Sequence, residues 1–242
     1  MKRLTLILSL LICMQTFAGE QLFLQANTEY ANENYETAIS LYDSILTKEI
    51  ASSELYYNLG NCHYKTQDWA NSIWHYEKSL QLEKNEKTIH NLNLAKLKII
   101  DRIEPLPQLF YKKWGLTIQG FISTKHWQYL AILSIFLALL FKTLPAFYNK
   151  NTKKYFLLSL FTAFVLFFIS LSSHQNSWIK KEGIIFDSTV VITSAPTSNS
   201  TELFTLHAGA KFEITDSIGN WIHIRIANGN RGWISQSSIK AL

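Results

Sequence analysis

The chain has 242 residues, of which 48% are hydrophobic and 17% charged, with a formal net charge of +5 and a pI of about 9.0. That balance is too apolar for a typical soluble protein. The length allows one or two domains, and the two cysteines, Cys13 and Cys62, exclude a disulfide framework or a Cys-rich zinc site once the first is removed with the N-terminal leader.

The apolar excess is concentrated at the extreme N-terminus, at 127–147 and at 155–173. Residues 1–18 read as a signal peptide. Lys2 and Arg3 form its positive end, Leu4 to Met14 its apolar run, and Thr16 and Ala18 the small residues before a cleavage site after Ala18. A lipoprotein signal ending at Cys13 needs a small residue just before it, and Ile12 is not one. The alternative of a retained anchor exports the following domain all the same.

Residues 24–46 and 58–80 repeat each other at an offset of 34. Ala26 pairs with Gly60, Asn27 with Asn61, Tyr30 with Tyr64, Tyr35 with Trp69, Ile39 with Ile73, Tyr42 with Tyr76 and Leu46 with Leu80. This pattern resembles the tetratricopeptide repeat, a helix–turn–helix unit of that period. Its small-small-aromatic signature is Ala26, Ala38 and Tyr42 in the first unit and Gly60, Ser72 and Tyr76 in the second. Ser72 departs from the usual alanine. A third stretch, 91–103, repeats the Asn-Leu pair of 58–59 and is expected to be a capping helix, closing a repeat domain over 19–103.

The resemblance implies a concave groove lined by first helices, here Phe23, Asn27, Tyr30, Tyr57, Asn61, Tyr64 and Lys65. Family members that clamp a terminal carboxylate use Lys and Asn. Asn27 and Asn58 stand at matching positions, as does Lys87 if the third helix keeps register, while Phe23 replaces the first clamp lysine. The other reading is that these residues only stack helices. Cys62 beside His63 resembles half of a thiol site. Neighbouring helix residues point about 100° apart, however, so the pair does not face one substrate. Cys62 is expected to be a small, partly buried filler.

Residues 104–126 form a juxtamembrane linker, in which Pro105 and Pro107 end the preceding helix. Phe110, Tyr111, Trp114 and Trp127, with Lys112, Lys113 and Lys125, suit a membrane interface; a plain linker is the alternative. Residues 127–147 are long enough to cross a bilayer at about 1.5 Å per residue, with Lys142 placed to snorkel near the far end. The second candidate span, 155–173, has no charge and twelve Leu, Ile, Phe or Val residues. These contribute about −4 to −7 kcal/mol toward insertion. A buried hairpin of a soluble protein is the alternative. Lys150, Lys153 and Lys154 place the 148–154 loop in the cytoplasm by the positive-inside rule. With the exported N-terminus, this puts the domains at both ends on the periplasmic side of an inner membrane.

After His174 the pattern turns to short alternating runs. Trp221 to Ile226 alternates, Asn228-Gly229 suits a hairpin turn, and Gly232-Trp233-Ile234 opens the next strand. Residues 183–242 resemble a bacterial SH3-like barrel, although Val191-Ile192-Thr193 lacks the arginine common in that family. The resemblance implies cell-wall peptides or protein partners, with Trp221 and Trp233 as candidate ligand contacts; both also suit a half-buried structural role. His223, alone on its strand, is expected to be exposed.

The fold class expected is multidomain α + membrane + β: a tetratricopeptide-repeat helical array, two transmembrane helices and a C-terminal SH3-like β-barrel. No P-loop, GxSxG, HExxH or paired-cysteine motif occurs, so no enzyme, cofactor or metal is expected. The domain order resembles the BatE proteins of the Bacteroides aerotolerance (Bat) operon. That resemblance implies a non-catalytic envelope scaffold, alongside a MoxR-type ATPase and membrane-anchored von Willebrand A-type Bat proteins. The expected partners are membrane or periplasmic proteins, the lipid bilayer and, as the alternative function, peptidoglycan, but not nucleic acid.

Overall fold

A computed structural model of the chain describes residues 19–48, 50–107, 109–122, 124–143, 153–178 and 181–242. The signal peptide expected over 1–18, the end of the first span at 144–147 and most of the lysine loop lie outside the described residues. The chain divides into two compact units, Leu106–Lys180 and a second built from residues on both sides of it, up to Pro105 and from Lys181 on.

The flanking unit begins with five helices. These are α1 (19–31), α2 (Tyr35–Leu46), α3 (Ser53–Lys65), α4 (Trp69–Leu82) and α5 (Glu86–Lys96). Their starts are written locally: Ser52, Asp68 and Asn85 each accept a backbone N–H of the first turn, from Leu55, Asn71 and Lys87. The turns inside the two repeats are equivalent, with Glu33 and Gln67, 34 apart, both left-handed at φ 63° and 64°. The signature residues Ala26, Ala38, Tyr42, Gly60, Ser72 and Tyr76 are all buried. Gly60 is required, because a Cβ there would lie 2.5 Å from the Tyr76 ring. Ser72 in place of alanine is also explained, since its hydroxyl donates to the Gly60 carbonyl at 2.9 Å inside the helix pair. These helices are therefore a tetratricopeptide-like array.

Residues 181–242 form a seven-stranded antiparallel sheet of β1 (Lys181–Ile185), β2 (Thr189–Thr193), β3 (Glu202–His207), β4 (Lys211–Ile218), β5 (Trp221–Ile226), β6 (Arg231–Ser235) and β7 (Ile239–Ala241), in the order β3-β2-β6-β5-β4-β1-β7. Its core is Ile185, Ile192, Leu206, Phe212, Ile222, Ile224, Ile226 and Ile234. The alternation of β5 sends its isoleucines inward and Trp221, His223 and Arg225 to the other face.

Sequence reading treated these parts as separate domains, whereas in the structure they share a core. Ile73, Trp74 and Tyr76 of α4 and Leu92 and Ala95 of α5 pack with Ile184 of β1, joined by Ile99, Phe186 and Leu242. Beyond α5, Ile103 packs against the sheet core, and Gly209, at φ +90°, lets Ile99 approach so closely that a Cβ would lie 2.5 Å away. Polar contacts close the joint. Trp74 Nε1 donates to the Ala241 carbonyl at 3.0 Å, Lys211 meets Glu77 at 2.9 Å, and Asp101 accepts from His207 N and meets its Nδ1 at 2.9 Å. The helix expected over 91–103 runs instead over Glu86–Lys96, with 97–103 continuing as non-helical chain, and β1 and β7 pack beside it and α4.

The other unit holds α6 (Phe110–Gly120), α7 (Thr124–Thr143) and α8 (Lys153–Trp178). Two of its helical stretches, Lys125–Thr143 and Lys153–Ser173, are long and apolar enough to cross a membrane. Small residues sit between α7 and α8: Ala131, Ser134 and Ala138 on one, Ala163 and Ser170 on the other are buried, while the large side chains point outward. Ser134 Oγ donates across the pair to the Ser159 carbonyl at 2.9 Å. Small residues that admit close backbone approach, with an interhelical hydroxyl bond, are how helices associate in lipid.

Candidate functional site

The predicted groove residues lie on α1, α3 and α5, all but Lys65 and Lys87 half-buried, and the asparagines among them are held by a repeated hydrogen-bond pattern. Asn27 Oδ1 accepts from Tyr42 OH at 2.5 Å and from Asn58 Nδ2 at 3.1 Å. One repeat later, Asn61 Oδ1 accepts from Tyr76 OH at 2.7 Å and from Asn91 Nδ2 at 2.9 Å, and Asn91 also donates to Tyr57 OH at 3.2 Å. Burial raises the pKa of both donor tyrosines well above the ordinary value, so the hydroxyls stay protonated. The helix-stacking reading of the asparagines is thus correct for half of each amide. The other half, Nδ2 of Asn27 and Asn61 and Oδ1 of Asn58 and Asn91, has no protein partner among the described residues.

Aromatic side chains flank the ladder. Phe23 packs on Tyr42, Tyr30 on Tyr35, Tyr57 on Tyr76 and Tyr64 on Trp69, with ring centroids 5.3–6.1 Å apart. Lys65 is exposed at the end of α3. Lys87 is exposed in the first turn of α5, one turn before Asn91. Asn91 is the member of this hydrogen-bonded strip that the sequence alone does not single out. Its signal was the Asn-Leu pair of 58–59 recurring 33 residues on, at Asn91-Leu92.

Cys62 and His63 point to different surroundings. Cys62 is fully buried rather than partly, and burial pushes its thiol up to about 12. A thiol held there stays protonated at neutral pH. His63 pairs with Asp68 at 3.3 Å and stacks on His75 with ring centroids 5.1 Å apart. In the detergent-solubilised chain, a thiol reagent is expected to label Cys62 only on unfolding; labelling of the folded protein at a free-thiol rate would contradict this.

His75 is buried, and its Nδ1 has no hydrogen-bond partner among the described residues. Burial first, then the His63 imidazole and Lys240, depress its pKa to about 2. The folded state therefore keeps His75 neutral while the unfolded chain takes up a proton near pH 6.5, so stability is full above that pH and falls below it. Between pH 7.5 and 5.5 the loss attributable to this group is about 1.4 kcal/mol. Chemical unfolding at the two pH values checks this: His75→Phe should remove that increment, and an unchanged pH dependence in the variant would contradict the assignment.

On the sheet, Trp221 and Trp233 are half-buried and share the face opposite the isoleucine core, with Trp233 directly across from His223 and Trp221 across from Ser235. His223 is not alone. Its ring lies 4.9 Å from Trp233, and its Nδ1 is 2.6 Å from Thr215 Oγ1. Arg225 is tied to Glu213 at 2.5 Å on the same face. His223 and Trp233 form an aromatic pair assembled by the β5–β6 pairing, and Trp221 lies on the same face.

Comparison with known proteins agrees on the sheet. The family described as Bacterial SH3 domain matches residues 189–240. No curated protein matches the chain. Among solved structures, the chain is similar to "TPR2AB-domain:pHSP90-complex of yeast Sti1" at 15% identity and a TM-score of 0.31, over 65% of this chain and 65% of that one, just short of two thirds of its length. The chain joins tetratricopeptide-like helices to a sheet that matches the bacterial SH3 domain family over 189–240 in one folded unit, with two membrane-length helices between them in sequence.

Proposed function

We propose that the protein is a non-catalytic, membrane-anchored scaffold of the bacterial cell envelope whose repeat strip holds an extended segment of another protein. The observation that carries this reading is the half-used asparagine ladder. Its open groups are two amide donors, on Asn27 and Asn61, and two acceptors, on Asn58 and Asn91, spread across the strip. Main-chain N–H and C=O groups of an extended peptide match such a row, and Tyr30, Tyr57 and Tyr64 supply apolar contact on either side. The buried, high-pKa thiol of Cys62 supports a non-catalytic role.

The membrane length and apolar character of α7 and α8 support anchoring in the inner membrane, and the shared core adds an argument about topology. Residues on both sides of the helix pair fold together, so they lie on one side of any bilayer the pair crosses. With a signal peptide ahead of α1, that side is the periplasm. The BatE resemblance in domain order proposes von Willebrand A-type Bat proteins and a MoxR-type ATPase as the complex served. A second reading, peptidoglycan binding through the His223–Trp233 pair and the neighbouring Trp221 face, draws on the match to a bacterial SH3 domain.

Asn58→Ala with Tyr64→Ala is expected to reduce partner recovery from native membranes at least about tenfold, the loss of roughly one hydrogen bond and one aromatic contact. Unfolding should show that the fold survives. Undiminished recovery with an intact fold contradicts the strip as the binding site. Retention on purified peptidoglycan that is lost in Trp233→Ala would favour the second reading.

A further inference from the structure

Helix α6 is the most exposed apolar feature outside the α7–α8 pair. Phe110, Trp114 and Ile118 recur every four residues, and Tyr111 and Phe121 fall within the same roughly 100° stripe. These side chains are 49–84% exposed, with Phe110 against Tyr111 and Trp114 in edge contacts at 5.8 and 6.1 Å. At about 16 Å the helix is too short to span a bilayer, and α7 begins at Thr124, soon after it ends at Gly120.

The charge in this unit is one-sided. Leu106–Lys180 carries eight lysines and no carboxylate, so the +5 of the whole chain leaves −3 for everything else. An apolar stripe of aromatic residues beside lysines, continuous in sequence with a membrane-length helix and free of acidic groups, matches the chemistry of an anionic headgroup layer.

We infer that α6 is an in-plane membrane helix, lying in the headgroup region with Phe110, Trp114, Ile118 and Phe121 toward the acyl chains and Lys113 toward anionic phosphates. This rests on the reading of α7 and α8 as the membrane anchor. It adds a third contact, parallel to the surface, which resists rocking about the helix pair.

The test uses the full chain, freed of Cys13 and Cys62, in vesicles of phosphatidylglycerol and phosphatidylethanolamine. A polarity-sensitive fluorophore is placed in turn at Trp114→Cys, Lys113→Cys and Phe164→Cys. The Trp114 probe should be quenched several-fold more by lipids brominated near the headgroup than by lipids brominated near the chain end, and should resist aqueous iodide. The Lys113 probe should remain open to iodide. In pure phosphatidylcholine the protection of the Trp114 probe should fall; equal protection there would overturn the role of anionic headgroups.

Iodide access at Trp114 equal to that at Lys113 would overturn the inference, as would shielding from both iodide and lipid, which marks a protein contact. The Phe164 probe in α8 separates the two levels. Deep quenching at Phe164 without shallow quenching at Trp114 rejects α6 docking alone. No lipid quenching at Phe164 rejects the membrane anchor itself.

Discussion

Trp74→Ala is expected to lower the stability of the helix–sheet unit by about 3–5 kcal/mol, the range for deleting a large buried aromatic. The ring is only 9% exposed and is held from both sides. Tyr56 and His75 meet it in edge contacts at 6.1 and 4.9 Å, and Lys240 Nζ sits over its face at 3.6 Å. Its Nε1–H is a hydrogen bond from α4 to the last strand. Trp74→Phe keeps most of the buried area and loses that bond, so its cost should be nearer 1 kcal/mol. The measurement is denaturant unfolding of the solubilised chain followed by protease susceptibility of residues 181–242. The joint predicts that Trp74→Ala separates unfolding into two transitions. A single transition shifted by less than 1 kcal/mol would show that the ring only fills its own repeat.

Glu77 carries the second large effect. Its carboxylate, 12% exposed, receives Lys96 and Lys211, both at 2.9 Å, and Lys211 also reaches Glu182 at 2.7 Å. Burial alone would raise the Glu77 pKa. The Lys96 and Lys211 ammoniums outweigh it and hold the carboxyl below the ordinary glutamate range. Lys211 is raised despite burial, chiefly by Glu77 and Glu182. The sign of each linkage follows from these directions. The Glu77 contribution is present above its unfolded pKa of about 4.3 and is lost as pH falls through its lower folded value; the Lys211 contribution is present below about 10.4 and is lost as pH rises past it.

Glu77→Gln keeps the shape, removes the charge, takes this carboxylate from Lys96 and leaves Lys211 with Glu182. A fully buried pair would lose about 3–5 kcal/mol, and because the lysines are partly exposed the expected cost here is nearer 2 kcal/mol. The variant should also lose part of the acid limb of the stability profile. An acid limb identical to that of the parent would place the carboxylate's partner energy elsewhere.

Much of this architecture is legible in the residues. The offset of 34 places Ala26, Ala38, Tyr42, Gly60, Ser72 and Tyr76, because close helix approach admits few residue types at those points. The alternation of Trp221–Ile226 gives the inward isoleucines directly. The strip was legible as a set of positions but not as a bonded ladder, since spacing says which residues share a face and not which half of an amide is used.

The joint between helices and sheet was the least legible feature. Hydrophobic periodicity shows that a face is apolar, not what covers it, and here the cover comes from more than a hundred residues downstream. A local clue did exist. Trp74 occupies the place of the exposed Ser40 one repeat earlier, and a tryptophan at a surface position of a repeat marks a contact outside the repeat. His223 was misplaced for the same reason, since its neighbour Trp233 comes from the next strand.

The most direct test of the proposed topology, in which the residues before and after the helix pair, folded as one body, lie on one side of the membrane, is side-specific labelling. Single cysteines at Lys65 and Ser217, both exposed, are placed in a chain lacking Cys13 and Cys62 and treated with a membrane-impermeant maleimide in intact cells whose outer barrier has been opened. Both sites should label to the same extent before lysis, while a cysteine at Lys150 should label only after it. Labelling of Lys65 and Ser217 on opposite sides of the membrane would contradict the shared core and the account built on it.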